Sequence, residues 1–284
     1  MTLQFTKMQG IGNDYVYLNC MEQVPECPEK LSVMLSDRHF GIGSDGLVLI
    51  LPSQVADFQM RMFNADGSEG KMCGNASRCV AKYVYDRGLT DQQTITLETK
   101  SGIKRIKMNI QDGKVCGAQV CMGKAILNPR EIPVLSEEET FMKKPLEVDG
   151  KTYSVTCVSM GNPHAVVFCD EIHHLNLEQI GPGFEHHPLF PDRINTEFVH
   201  VLSETEVEMR VWERGSGETL ACGTGACATA VACVLNGYSK RDVPITVHLK
   251  GGDLEIVYQT DGTVLMSGPA SHVFDGTIEV ELDR

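Results

Sequence analysis

MCGNASRCVAKYVYDRG, residues 72–88, and ACGTGACATAVACVLNG, residues 221–237, decide how this chain folds. Both begin with a cysteine followed by glycine, continue in small and apolar residues, and close on Gly88 or Gly237. In the first, Ala76, Cys79, Val80, Tyr83 and Val84 recur at three- and four-residue steps, which predicts a helix over 75–87 that the glycine stops. In the second, Ala226, Ala228, Ala230, Val231, Val234 and Leu235 leave no polar face, which predicts a helix over 225–236 enclosed on every side. A gapless shift of 149 residues (222 − 73) superposes far more than the cysteines. It places Arg61 on Arg210, Phe63 on Trp212, Glu69 on Glu218, Ala81 on Ala230 and Gly12-Asn13 on Gly161-Asn162. A register held from residue 12 to residue 88 reads as a tandem duplication.

Outward from the two helices, extended stretches dominate. Leu3–Met8, Tyr15–Asn19, Leu47–Leu51 and Phe58–Phe63 read as strands, and Thr94–Thr99 and Lys104–Ile110 alternate strictly across Ser101-Gly102 as a hairpin does. Tyr153–Ser159, Val166–Cys169, Val207–Trp212, Val243–Leu249 and Leu254–Tyr258 repeat the pattern, and Glu29–Arg38 suits a short helix. The expected fold class is α/β (α+β): two pseudo-symmetric domains, each a mostly antiparallel sheet or barrel wrapped around a central helix. Residues 122–149, with Asn128-Pro129, Pro133 and Glu137-Glu138-Glu139, read as the crossing between halves.

With 284 residues, 42% hydrophobic and 22% charged, the composition is that of an ordinary globular chain of about two domains. No stretch has the roughly 18 apolar residues of a membrane span, and Met1–Thr6 lacks signal-peptide character, so a cytoplasmic protein is expected. A formal charge of −13 disfavours nucleic acid and anionic lipid as partners and leaves a small zwitterionic substrate little affected. Eleven cysteines without a C-x-x-C spacing argue for reduced, mostly buried thiols and against structural zinc. Gly41-Ile42-Gly43-Ser44-Asp45-Gly46 fits G-x-G-x-x-G, but it leads from a helical stretch into a strand, the reverse of a dinucleotide site.

A cysteine at a helix start meets unpaired N–H groups and the positive end of the helix dipole, which predicts a lowered thiol pKa for Cys73 and Cys222. The same N–H groups can bind a carboxylate. Two such sites on one carboxylate would leave its α-carbon between two sulfurs, where one thiolate removes a proton from one face and the opposite thiol returns one to the other. No metal or cofactor is needed for that inversion.

Met8-Gln9-Gly10-Ile11-Gly12-Asn13-Asp14, Phe63-Asn64-Ala65-Asp66-Gly67-Ser68-Glu69, Met72-Cys73-Gly74-Asn75, Gly161-Asn162-Pro163-His164, Glu213-Arg214-Gly215 and Glu218 to Gly225 together resemble the diaminopimelate epimerases. The Cys-Gly pairs are also similar to those of proline racemases, which typically carry His where Asn75 stands. The resemblance implies pyridoxal-independent interconversion of LL- and meso-diaminopimelate, serving lysine and peptidoglycan synthesis. It implies Cys73 and Cys222 as proton-transfer groups, with Gly74-Asn75 and Gly223-Thr224 on the α-carboxylate. Asn13, Asn64, Asn162, Asn195, Glu213 and Arg214 match substrate-contacting positions, and His164 and Glu213 match groups that influence the thiols. Chemically, Arg214 suits a distal carboxylate and Glu213 a distal ammonium; Asn13, Asn64 and Asn195 suit turns equally well. By the same likeness the last strand returns to the first domain, giving halves 1–122 plus 270–284 and 123–269, a site in the cleft between them and a homodimer. Two departures stand out: Gly46 replaces a glutamine common in the family, and Ala76-Ser77 replaces Gly-Ala. Open alternatives are a racemase of another amino acid, such as histidine or proline, and a thiol redox sensor.

Overall fold

The structure, a computed structural model, describes residues 2–281. Its contacts divide the chain into two compact units, one built from the residues up to Val120 and from Ser267 onward, the other from Cys121–Met266.

The first unit opens with the antiparallel pair β1 (Thr2–Gly10) and β2 (Asn13–Asn19), turning at Ile11-Gly12 where both residues have positive φ. Helix α1 (Pro28–Ser36) follows, then β3 (Gly46–Leu51), β4 (Phe58–Asn64), the short β5 (Glu69–Gly70), helix α2 (Gly74–Asp86), β6 (Thr94–Thr99), β7 (Gly102–Gln111) and β8 (Lys114–Lys124). The ladder runs β1-β2-β3-β4-β6-β7-β8, parallel at β2/β3 and β4/β6 and antiparallel elsewhere, with β5 folded back on β4.

The second unit repeats this plan. Strand β9 (Lys144–Val148) precedes β10 (Lys151–Ser159), β11 (Pro163–Phe168), α3 (Leu177–Glu185), β12 (Asn195–Val201), β13 (Glu206–Glu213), β14 (Gly217–Glu218), α4 (Gly223–Asn236), β15 (Ile245–Leu249), β16 (Gly252–Tyr258) and β17 (Thr263–Pro269). Its ladder is β9-β10-β11-β12-β13-β15-β16, again parallel at the two matching places, β11/β12 and β13/β15. The shift of 149 carries α1 onto α3 residue for residue, and the pairing of Leu47 with Phe63 onto that of Thr196 with Trp212. Strand β18 (Ser271–Glu279) then lies antiparallel on β1, the flank that β9 occupies on β10.

Packing explains which helix ends up where. Leu31 and Leu35 of α1 join Val16, Leu18, Leu47, Leu49 and Phe63 in one apolar cluster. In the second unit Leu177 and Phe184 of α3 join Phe198, Trp212 and Val167. Helix α2 buries Gly74–Ala81 and Val84 and packs on β1 and β7, while α4 buries every residue from Gly225 to Cys233 and touches six strands. Each fully buried Val or Leu contributes roughly 1.5–3 kcal/mol by leaving water.

Three sequence expectations change. Residues 122–149 are not a bare crossing: Ile132, Val134, Phe141, Leu146 and Val148 sit in the core of the second unit, and 144–148 is a strand. Helix α3 went unpredicted because Gly181, Pro182 and Gly183 read as breakers. Strands β8 and β17 also carried no clear signal, because glycines, and in β17 a proline, interrupt their alternation; β12, Asn195–Val201, is buried from Asn195 to Val199 and so shows no polar face to alternate with.

Candidate active site

In the first unit the chain enters α2 from the β4/β5 hairpin, which Arg61 Nε pins to Glu69 Oε1 at 2.8 Å. Cys73 is the N-cap residue, extended at φ −132° and ψ 123°, and its Sγ accepts from the Ala76 N–H at 3.5 Å. The Ser77 hydroxyl bonds the Cys73 carbonyl at 2.8 Å, securing the turn. Gly74 and Asn75 are the first two helical residues, whose N–H groups have no acceptor one turn back. Asn13, from the β1/β2 turn, brings its Oδ1 to 3.4 Å from Cys73 Sγ and 3.3 Å from Asn75 Nδ2.

The second unit builds the same entry. Arg210 Nε pins Glu218 Oε1 at 2.7 Å, and Cys222 caps α4 with Sγ accepting from the Gly225 N–H at 3.4 Å. Gly223 and Thr224 supply the free first N–H groups, and the Thr224 hydroxyl lies 3.6 Å from Sγ. Asn162, the counterpart of Asn13, donates from Nδ2 to Thr224 Oγ1 at 3.2 Å, while His164 Nε2 meets its Oδ1 at 3.1 Å. His164 is wholly buried, with Nδ1 2.7 Å from Glu197 Oε1. A Cβ on Gly225 would stand 2.7 Å from Glu197 Oε1 and 3.2 Å from Cys222 Sγ, so only glycine lets the sulfur and that carboxylate crowd the first turn.

The expected lowering of the thiol pKa does not hold for Cys222. Burial pushes its thiol well above the ordinary range, the negative charges of Glu213 and Glu197 add to that, and the Thr224 and Gly225 hydrogen bonds offset only part. Desolvation likewise raises the Glu213 carboxyl, against hydrogen bonds from Thr219 (2.6 Å) and Cys222. A helix N-terminus contributes a fraction of a charge, whereas burial removes the solvation of a whole one. Cys222 in this state carries its proton beside a carboxylate able to share it.

The remaining positions separate. Asn195 is buried and spent on the backbone, donating to the Pro163 carbonyl at 2.9 Å and accepting from the Arg214 N–H at 3.0 Å. Arg214 reaches the Asp192 carbonyl from an exposed turn. Asn64 Nδ2 bonds Ser68 Oγ at 3.0 Å within its own turn. At Gly46 a Cβ would fall 2.0 Å from the Phe63 carbonyl oxygen, so this backbone admits no side chain there. Sequence reasoning overlooked Asp45, Arg78, Glu197 and Thr219. The charges at 78 and 197 were visible as breaks in otherwise apolar surroundings, where the matching positions hold Cys227 and Val48.

Among solved structures, a probable proline racemase of Agrobacterium radiobacter matches at TM-score 0.73 and 16% identity, covering 99% of this chain and 93% of that one. A PhzF-family phenazine biosynthesis protein of Bacillus anthracis matches at 0.71 and 15%, covering 99% and 100%. The doubled, helix-bearing sheet with a cysteine capping each helix thus has the fold of the proline racemase and PhzF proteins. Sequence narrows that class. Residues 5–128 and 156–273 match the diaminopimelate epimerase family model, and the chain belongs to that family. Diaminopimelate epimerase of Acetivibrio thermocellus is 58% identical over 98% of this chain and 99% of its own length. Those of Desulfovibrio desulfuricans and Methanococcus maripaludis are 59% and 54% identical, over 97% and 98% of this chain and 98% and 100% of theirs.

Proposed function

We propose that this protein epimerises LL-2,6-diaminopimelate to meso-diaminopimelate, with Cys73 and Cys222 as the two proton-transfer groups and no cofactor. The observation that carries the reading is the repeated seat of the thiol: each sulfur caps a helix, and each is followed by two residues whose N–H groups await an acceptor. An α-carboxylate held on Gly74-Asn75 and Gly223-Thr224 gains donors that strengthen as the enediolate forms. A thiol that passes its own proton on, as Cys222 can to the adjacent Glu213 carboxylate, becomes the thiolate that takes the α-proton; the C–H electron pair moves into the carboxylate, and the other thiol protonates the opposite face of the carbon. General acid and base transfer of this kind adds about 10² to 10⁴ in rate.

The family membership favours diaminopimelate over a single amino acid. In this reading Glu213 and Arg214 take the distal ammonium and carboxylate, Asn13, Asn64, Asn162 and Asn195 complete the substrate contacts, and His164 with Glu213 adjusts the thiols. The cytoplasm as location and a homodimer as assembly belong to the same proposal; sedimentation equilibrium reading a monomer mass would sink the second. For the reaction, the purified, reduced protein is incubated with LL-diaminopimelate in deuterated water. The wild type should give meso product carrying one α-deuterium, and Cys73→Ala and Cys222→Ala should lose epimerisation by at least about 10²-fold. Either variant inverting the substrate at wild-type rate overturns the assignment.

A further inference from the structure

Four side chains around Cys73 form a line whose ends differ in kind. At one end Asp45 Oδ2 accepts from Asn13 Nδ2 at 2.8 Å and from the Asp14 N–H at 3.2 Å. At the other, fully buried Arg78 donates from its guanidinium to Asn75 Oδ1 at 2.9 Å and to the Pro269 carbonyl at 3.1 Å. Between them Asn75 Nδ2 donates to Asn13 Oδ1 at 3.3 Å. A carboxylate only accepts and a guanidinium only donates, so neither amide can be turned over without setting like against like. Asn13 therefore presents oxygen, and not nitrogen, to Cys73 Sγ 3.4 Å away. In the second unit the matching Asn162 presents its nitrogen to the helix start, at Thr224.

We propose that Asp45 is a positioning residue: together with Arg78 it locks the Asn13 and Asn75 amides so that Asn13 Oδ1 accepts the Cys73 S–H, keeping Cys73 a protonated thiol in the free enzyme. A carbonyl oxygen against sulfur favours S–H and opposes S⁻. The other charged groups at this end of α2 are Lys7 on β1, which pairs with Asp14 at 2.7 Å, Asp14 on β2, and Arg38, which pairs with Asp14 and Asp45 at 2.8 and 3.0 Å. Tyr15 and Tyr17 on β2 and Cys79 on α2 are the remaining titratable neighbours; burial raises Tyr17 strongly and takes Cys79 to about 11, so both stay neutral at working pH. Asp45 is exposed enough to be replaced without opening a core.

The inference rests on Cys73 being a proton-transfer group, but its test reads the thiol itself and not turnover. Iodoacetamide labelling of the tryptic peptide Met72–Arg78, whose single cysteine is Cys73, is followed against pH by mass spectrometry. In Asp45→Asn the charged acceptor of Asn13 Nδ2 is gone and only the longer 3.3 Å contact from Asn75 Nδ2 still holds Oδ1 toward sulfur, so the amide turns its nitrogen to sulfur part of the time and labelling at pH 7.5 should quicken, by up to about tenfold, a one-unit fall in the half-point. Asn13→Asp places a carboxylate against sulfur and should slow labelling by about as much. The acceleration in Asp45→Asn should survive 1 M potassium chloride, where the field of a part-exposed charge is screened within about 3 Å. Half-points unmoved in both variants, or an acceleration that salt abolishes, overturn the proposal; a wild type that shows no diaminopimelate turnover while these shifts are intact would instead count against the substrate.

Discussion

At the residue scale, two sulfurs seated alike by the backbone meet unlike surroundings. Around Cys222 stand two carboxylates, Glu213 and Glu197, the second bonded to the His164 imidazole; at Cys73 an amide oxygen, Asn13 Oδ1, lies 3.4 Å from the sulfur. Position 213 aligns with Asn64, 164 with Tyr15 and 197 with Val48, so the duplication diverged in charge while its geometry was kept. Glu213 gives a pH test. Its folded pKa is raised by burial, so the unfolded chain ionises first, near pH 4.3, and the protein loses stability as pH rises from there through the folded value. Glu213→Gln removes that titration, and its melting temperature should fall less steeply above pH 4.5 than the wild type's; parallel curves would refute the assignment.

At the scale of elements, the helices keep their places through close contacts that glycine permits. In α3 a Cβ on Gly181 would lie 2.2 Å from the Trp212 ring, and the indole Nε1 donates to Glu185 Oε2 at 2.8 Å, so the ring cannot swing clear without breaking a buried bond. Gly181→Ala should cost about 1–3 kcal/mol through overpacking, and calorimetry should show a clear drop in melting temperature. An unchanged melt would mean α3 can slide on β13. The same packing explains a failed reading: a segment with Pro182 and two glycines is helical because its apolar face fits Phe198 and Trp212, and only its alignment with Pro28–Ser36 hinted at that. Beyond the helices, the ion pairs Arg61–Glu69 and Arg210–Glu218 brace equivalent hairpins just ahead of each cysteine.

At the scale of the molecule, the chain's two ends meet in one ladder. Strand β18 pairs with β1 from Thr2 opposite Glu279 to Gln9 opposite Ser271, and Phe5 stacks edge-on with Phe274 at 5.8 Å. A chain ending at Ala270 should therefore lose amide protection in β1, as hydrogen exchange would show, while β10–β16 in the second unit keep theirs within a few-fold. Equal loss in both units would mean that they do not open separately.

The sequence by itself determined the duplication, the helix-capping cysteines, most of the strands and the family. Local periodicity, glycine stops and a constant offset are properties of a chain read in order, and the helix-start chemistry of Cys73 and Cys222 is local too. Only the tertiary structure decided that 122–149 joins the second core, that α3 is a helix, that Gly46 admits no side chain and that Cys222 holds its proton tightly. Each of these depends on groups distant in sequence brought into contact: Trp212 on Gly181, the Phe63 carbonyl on Gly46, and the Glu197 charge beside a desolvated sulfur. Burial and close approach are set by the whole fold, and no stretch of residues records them alone.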